Sequence, residues 1–298
     1  MNINADHPAN AAARAQRATL PEHNDFDLDT LIDLPPYWGW VEHQPASSAV
    51  FRMLLGGNDD GIALRLFWNG HYERATLALW TQLAHRHILA LDIGAHTGIY
   101  TLAAHAANPE INVLSFEPSA LNHARLTLNL RANDVATTNA YQLGISDGDG
   151  TRAFTIRTHA DYHSSGGSFE QADGGRSSDV RIAALDAFLP PTIADQVGLI
   201  KLDVEGHEPA ALAGMRGLLS RARPTMIFEC LTEATGSAID TLLRPFGYRF
   251  FEIDDRAGTI GETERLIPAR DAAGNAILHR LNRVATQNAD DLAIIRAR

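Results

Sequence analysis

Cysteine is nearly missing: Cys230 is the one thiol in 298 residues, which excludes a disulfide framework and a cysteine-built zinc cluster. Long apolar runs are missing too. None approaches the roughly 18 residues that a membrane-spanning helix needs, and the opening MNINADHPANAAARAQ lacks a basic segment followed by an apolar one. A cytoplasmic protein without a transmembrane segment is expected. Basic residues are the minority, 25 Lys and Arg against 36 Asp and Glu for a formal charge of −11, which argues against a non-specific grip on nucleic acid. Apolar residues are not scarce. At 45% of the chain they suffice for a substantial globular core.

Residues 1–48 are rich in Ala, Asn, Asp, His and Pro with no sustained period. They are expected to form a partly disordered extension ahead of one domain over residues 49–298. AVFRMLLGG and IALRLFW read as two short strands around the turn GGNDDG, and HYERATLALWTQLAHR as a helix. Beyond them the strands ILALDIG, INVLSFEP, AYQLGIS, LIKLDV, TMIFEC and YRFFEI alternate with the helices IYTLAAHAA, ALNHARLTLNLRA, PAALAGMRGLLSRA and GSAIDTLLRPF. This alternation predicts an α/β fold, a doubly wound, mainly parallel sheet with helices on both faces. Between about residues 150 and 180 the polar HSSGGSFEQADGGRSSD interrupts it. The Gly/Ser-rich stretch 159–179 is expected to be a loop or lid over the acceptor side of a crevice. The closing LAIIRAR reads as a last strand.

LALDIGAHTGIYTL carries the strongest local signal. A buried strand delivers Asp92, the chain turns through Gly94, His96 and Gly98, and a helix begins, so backbone N–H groups gather at the strand's carboxyl end. Glu117 ends the next apolar strand, nineteen residues after Gly98, where a carboxylate can accept hydrogen bonds from both hydroxyls of a ribose. A dinucleotide turn needs three glycines as G-x-G-x-x-G, and here His96 and Thr97 stand where small residues are wanted. The D-x-G-x-x-x-G order instead matches S-adenosylmethionine-dependent methyltransferases. Asp92 or a nearby carbonyl would meet the cofactor's ammonium, the turn would pack its methionine portion, Glu117 would hold the ribose, and Ser146 and Asp147 in GISDGDG would face the adenine edge. A nicotinamide-dependent oxidoreductase is the alternative on the same strand-turn-helix logic.

LIKLDVEGHEPAAL, residues 199–212, raises the question of catalysis. Lys201, Asp203 and Glu205 alternate with Ile200, Leu202 and Val204, as in a strand running out into a polar loop, and Pro209 suits the first turn of a helix. The polar groups therefore stand at the sheet edge where open α/β folds place ligands. His207, with an ordinary pKa of about 6.5, is the leading general base, followed by Asp203 and Glu205. Asp203 is also expected to position the cofactor. Glu208 suits the positive end of the helix dipole. Asp203, Glu205 and Glu229 offer oxygen ligands for magnesium, but alternating acids on one strand do not make an octahedral cage, and a divalent metal is not favoured.

NGHYE, LDIGAHTGIYTL, FEP, GISDGDG, LDAFL and above all IKLDVEGHEPAALAGM together make the chain resemble an FkbM-type methyltransferase, a family of class I enzymes that mostly methylate oxygen. The resemblance spans about residues 51–248. It implies methyl transfer from S-adenosylmethionine to a hydroxyl of a small-molecule, sugar or lipid-linked acceptor, and members often carry Asn where His96 stands. DLPPYW, residues 33–38, resembles the Asp/Asn-Pro-Pro-Tyr loop of amino-methylating enzymes. Leu34, neither acid nor amide, precedes Pro35, and the segment lies ahead of the cofactor turn, so amino-group methylation is the lesser alternative.

Overall fold

The computed structural model describes residues 8–46, 48–156, 167–169 and 176–298. In chain order its strands are β1 Tyr37–His43, β2 Phe51–Gly57, β3 Leu89–Ile93, β4 Asn112–Phe116, β5 Ala140–Tyr141, β6 Gly144–Ile145, β7 Gly150–Ile156, β8 Gly167–Ser168, β9 Arg176–Ala183, β10 Leu199–Leu202, β11 Thr225–Glu229, β12 Arg249–Asp254, β13 Thr259–Thr263 and β14 Asn282–Thr286. Eight of them form one sheet in the order β13-β12-β14-β11-β10-β3-β4-β5. From β11 to β5 neighbours run parallel, whereas β14 is antiparallel to both β11 and β12. Every residue of β3 and β10 is buried, which is why both read as apolar runs rather than as alternation. Apolar layers cover both faces, Trp80, Leu102 and Val113 on one and Leu91, Ile200 and Met226 on the other.

From β3 the chain moves to β4 on one side, and it later returns as β10 on the other. Strand order thus reverses between β3 and β10, and a crevice opens at their carboxyl ends. Two local devices aim the chain there. Gly98, at φ 103, starts the helix Ile99–Ala107 directly behind β3. Ser119 accepts a hydrogen bond from the Asn122 N–H and starts the helix Ala120–Ala132 behind β4.

Several elements differ from the sequence expectation. GIALRLFWN is a helix, Gly61–Asn69, not a strand: the Asp60 carboxylate caps it through the N–H groups of Ile62 and Ala63, and Gly70 ends it in the left-handed region. Cap and stop chemistry outweigh the apolar run. The partner of β2 is β1, from inside the first 48 residues. That segment also carries the helices Asn10–Arg17 and Leu28–Ile32, with Ala13 and Leu31 fully buried. Side-chain bonds to backbone hold it: Arg17 donates to the carbonyls of Phe67, Pro21 and Glu22 at 2.7–2.8 Å, and Asn10 bonds the Trp38 backbone in both directions at 2.8 Å. Such anchors leave no period to read.

The closing segment is a helix, Ala289–Arg296, capped by Asn288 and with Asp290 and Asp291 in its first turn. The flanks of the interruption, β7 and β9, pair antiparallel and belong to a small sheet ordered β6-β9-β7-β8. Most of the expected loop, residues 157–166 and 170–175, lies outside the described residues. Among the described residues no helix is long and apolar enough to cross a membrane.

Candidate functional site

A cavity of about 930 Å³ opens over the carboxyl ends of β3, β4, β10 and β11, and its walls include Gly94–His96, Glu117, Lys201, Asp203, Glu205 and Glu229. The glycine turn is built by close approach. Gly94 adopts φ 83, and a Cβ there would lie 1.7 Å from the Asp203 carbonyl oxygen, so the loops behind β3 and β10 can meet only without a side chain. The N–H groups of Gly94 and Ala95 both donate to the Phe116 carbonyl, at 2.9 and 3.0 Å. His96 holds a left-handed φ of 50, a region Asn enters more readily than most residues. Burial holds its imidazole below its ordinary pKa.

Glu117 meets this turn directly. One carboxylate oxygen accepts the His96 N–H at 2.9 Å, and the other accepts the Ser119 N–H at 2.8 Å. Burial pushes its carboxyl up to about 8, against the opposing pull of those two donors. Each oxygen keeps acceptor capacity, and the residue lines the cavity.

Asp92 behaves otherwise. Its carboxylate turns onto the helix, accepting the Thr101 N–H at 3.0 Å and the Thr101 hydroxyl at 2.6 Å, and burial lifts it to about 6. It is not among the residues lining the cavity, where the sequence expectation had placed it. Gly98 packs its bare α-carbon face against Leu126.

On β10 and its loop the polar groups part company. Lys201 is fully buried, donates to Asp203 Oδ2 at 2.8 Å and lies 4.9 Å over the Tyr100 ring. Burial pulls its pKa down, but Asp203, Glu73 and Glu229 outweigh that pull and hold it above the ordinary lysine value. Carboxylate oxygens of Glu73, Asp203 and Glu229 all come within 4.8 Å of one another. Burial raises Glu73 and raises Glu229 well above the carboxylate range, with Asp203 adding to the latter. Tyr100 donates its hydroxyl to Glu73. Tyr72 lines the same wall. An ion could use the three acids, though Glu73 and not Glu205 completes the group, and the Lys201 ammonium already supplies a positive charge there.

His207 stands apart from the cavity lining. Its Nε2 lies 2.9 Å from Ser146 Oγ, and its ring packs on Phe169 at 4.6 Å, with Phe169 one of the residues that line the cavity. Ser146 also donates to Asp147 at 3.1 Å. Neither Ser146 nor Asp147 lines the cavity, and Asp147 is exposed. The neighbouring Phe116, Leu143 and Ile145 line it instead. Glu205 does line it, at φ 53, and its carbonyl accepts the Ser168 hydroxyl at 3.0 Å. Glu208 folds back to accept the N–H groups of Val204 and Gly206 at 3.1 and 3.3 Å, which braces the turn. Residues 33–38 line none of the cavity. Instead Tyr37 stacks on Phe67 at 4.2 Å.

Tyr72, Glu73 and Tyr100 were assigned no role from sequence. NGHYE was a visible signal for the first two, but nothing local showed that it would reach β10.

A family model described as the methyltransferase FkbM domain matches residues 92–250. The chain belongs to this family. Its doubly wound, mainly parallel sheet is the arrangement expected from sequence, whereas the antiparallel β14 beside the parallel strands was not read there. Among solved structures, a methyltransferase FkbM from Methylobacillus flagellatus KT is similar at 16% identity and a TM-score of 0.40, covering 76% of this chain and 52% of that one. This FkbM-family chain thus spans about half the length of that relative. A SAM-dependent methyltransferase from Agrobacterium tumefaciens is similar at 12% identity and a TM-score of 0.40, covering 84% and 70%. For a precorrin-6y C5,15-methyltransferase from Geobacter metallireducens GS-15 the values are 11%, 0.38, 72% and 89%. No curated protein matches the chain.

Proposed function

We propose that the protein transfers a methyl group from S-adenosylmethionine to a hydroxyl oxygen of a small-molecule, sugar or lipid-linked acceptor. The observation that carries this reading is one cavity holding two kinds of chemistry. The Gly94–His96 turn and the Glu117 carboxylate form a cradle for a ribose, and Glu73, Asp203 and Glu229 line the same cavity with Lys201. The residues present fit the cofactor: Glu117 retains acceptor capacity for two hydroxyls, and a Cβ at Gly94 would collide with the Asp203 carbonyl that closes the cradle. When bound, S-adenosylmethionine supplies an electrophilic methyl on a sulfonium.

The protein's part is alignment and proton handling. Asp203, pinned by Lys201, orients the hydroxyl. Glu229, which lines the cavity with a carboxylate oxygen within 4.8 Å of those of Asp203 and Glu73, takes its proton when ionised. His207 acts as a positioning residue that holds Phe169 against the cavity, and Glu205 faces the acceptor. A nicotinamide cofactor fits less well, since His96 and Ile99 stand where the second and third glycines of a dinucleotide turn belong.

Titration calorimetry tests the cofactor end. S-adenosylhomocysteine binds to the wild type, and at about pH 9, above the raised value of the Glu117 carboxyl, Glu117→Ala weakens binding by about 1.5–3 kcal/mol, the range for hydrogen bonds to a charged group. Binding of NAD without S-adenosylhomocysteine would sink the reading. Incubation with labelled S-adenosylmethionine and a cell extract then identifies the acceptor.

A further inference from the structure

The cavity is acidic, with Glu73, Glu117, Asp203, Glu205 and Glu229 on its inner walls. A ligand that carries a carboxylate enters such a space only if a cation not already neutralised meets it. Most cavity cations are committed. Lys201 is held by Asp203, Arg256 and His71 lie 3.6 and 3.5 Å from Asp25, and His279 lies 3.9 Å from Asp254. Arg74 is exposed and bonds the Arg256 carbonyl at 3.2 Å.

Arg65 is different. It is half-buried, and among the described residues its one hydrogen bond runs from Nη1 to the Gly61 carbonyl at 3.0 Å, with no carboxylate in ion-pair reach. A guanidinium has five N–H donors in a planar fork that matches a carboxylate. The helix Gly61–Asn69 turns one face to the cavity, Gly61, Ile62, Arg65 and Asn69, at the spacing of a single helical stripe. The start of this helix, Gly61 and Ile62, lines the same cavity as the Gly94–His96 turn. Farther along, Arg65 lines it together with Tyr72, Glu73, Asp203 and Glu229. Arg65 therefore shares the cavity with both the glycine turn and the acid cluster. A cofactor whose ribose is held by Glu117 shares this cavity with Arg65.

Resting on the cofactor reading above, we propose that Arg65 binds the carboxylate of the methionine end of S-adenosylmethionine through a two-pronged ion pair. The residue lies outside the 92–250 segment that matches the family, so the family match does not assign it. It also keeps that carboxylate away from the reacting acids, whose negative charge would otherwise repel it.

The test compares two ligands that differ by the amino-acid end: S-adenosylhomocysteine, which carries the carboxylate, and methylthioadenosine, which lacks it. Calorimetry at one fixed salt concentration is run on wild type, Arg65→Gln and Arg65→Lys, with thermal melts confirming that each is folded. Arg65→Gln is expected to weaken S-adenosylhomocysteine by roughly 10- to 100-fold, in line with hydrogen bonds to a charged group. It leaves methylthioadenosine unchanged. Arg65→Lys keeps the charge without the fork and recovers part of the loss. Unchanged S-adenosylhomocysteine affinity in Arg65→Gln overturns the proposal, and a loss confined to acceptor KM would then assign the arginine to the acceptor. Equal weakening of both ligands overturns it as well. If the wild type binds neither ligand, the cofactor reading itself has failed, and this proposal falls with it.

Discussion

Replacing Lys201 by Met would remove the one ammonium from a buried group that also holds Glu73, Asp203 and Glu229. Methionine matches the lysine stem in length, so little packing is lost and the change is mainly electrostatic. Breaking a buried ion pair by removing one partner costs about 3–5 kcal/mol, because the remaining charge stays uncompensated. Here the loss should depend on pH. A carboxyl whose folded pKa is raised favours folding while protonated, and its contribution is lost as pH climbs from the unfolded value toward the folded one. Glu73 and Glu229 are already raised with Lys201 present, and without it they rise further. Lys201 itself has a raised pKa, so its charge is constant between pH 5 and 8 and adds no slope of its own. The expected destabilisation is therefore about 3–5 kcal/mol at pH 8 and smaller at pH 5, where Glu73 and Glu229 take up protons. Urea unfolding of both proteins at the two pH values measures it, and adding Glu229→Gln to the variant should restore part of the loss at pH 8. An equal loss at both pH values would refute the reasoning, since it would mean that Lys201 does not compensate Glu73 and Glu229.

Turnover provides a second check: the wild-type rate should rise with pH as the elevated Glu229 carboxyl loses its proton, and Glu229→Gln should reduce turnover by roughly 10²–10⁴-fold. His207→Ala should cost less than that and leave S-adenosylhomocysteine affinity intact, and an equally deep fall would return the proton-accepting role to the histidine. Gly94→Ala forces a side chain into a left-handed turn and against the Asp203 carbonyl, so thermal unfolding should show at least about 1–3 kcal/mol of strain and calorimetry should show lost cofactor binding. An unperturbed Gly94→Ala protein would mean that the two loops are not in contact.

Local chemistry made much of this protein legible in sequence. Apolar runs alternating with helical patterns announced the parallel sheet, because buried strands and amphipathic helices have distinct periods. The left-handed glycines and the strand ends marked by Asp92, Glu117 and Asp203 located the crevice. What a local pattern cannot contain is which side of a loop faces the cavity. Asp92 turns inward because Thr101, a turn into the next helix, offers it two donors. His207 turns aside because Ser146 and Phe169 arrive from elsewhere in the chain. Glu73 precedes β3 in sequence yet stands against Asp203 and Glu229, a meeting made by helix packing and not by any spacing. The first segment shows the same division most plainly: its composition carries no period, and it is fastened by long-range contacts such as the bond from Arg17 to Phe67, fifty residues away, the pairing of β1 with β2 and the burial of Ala13 and Leu31.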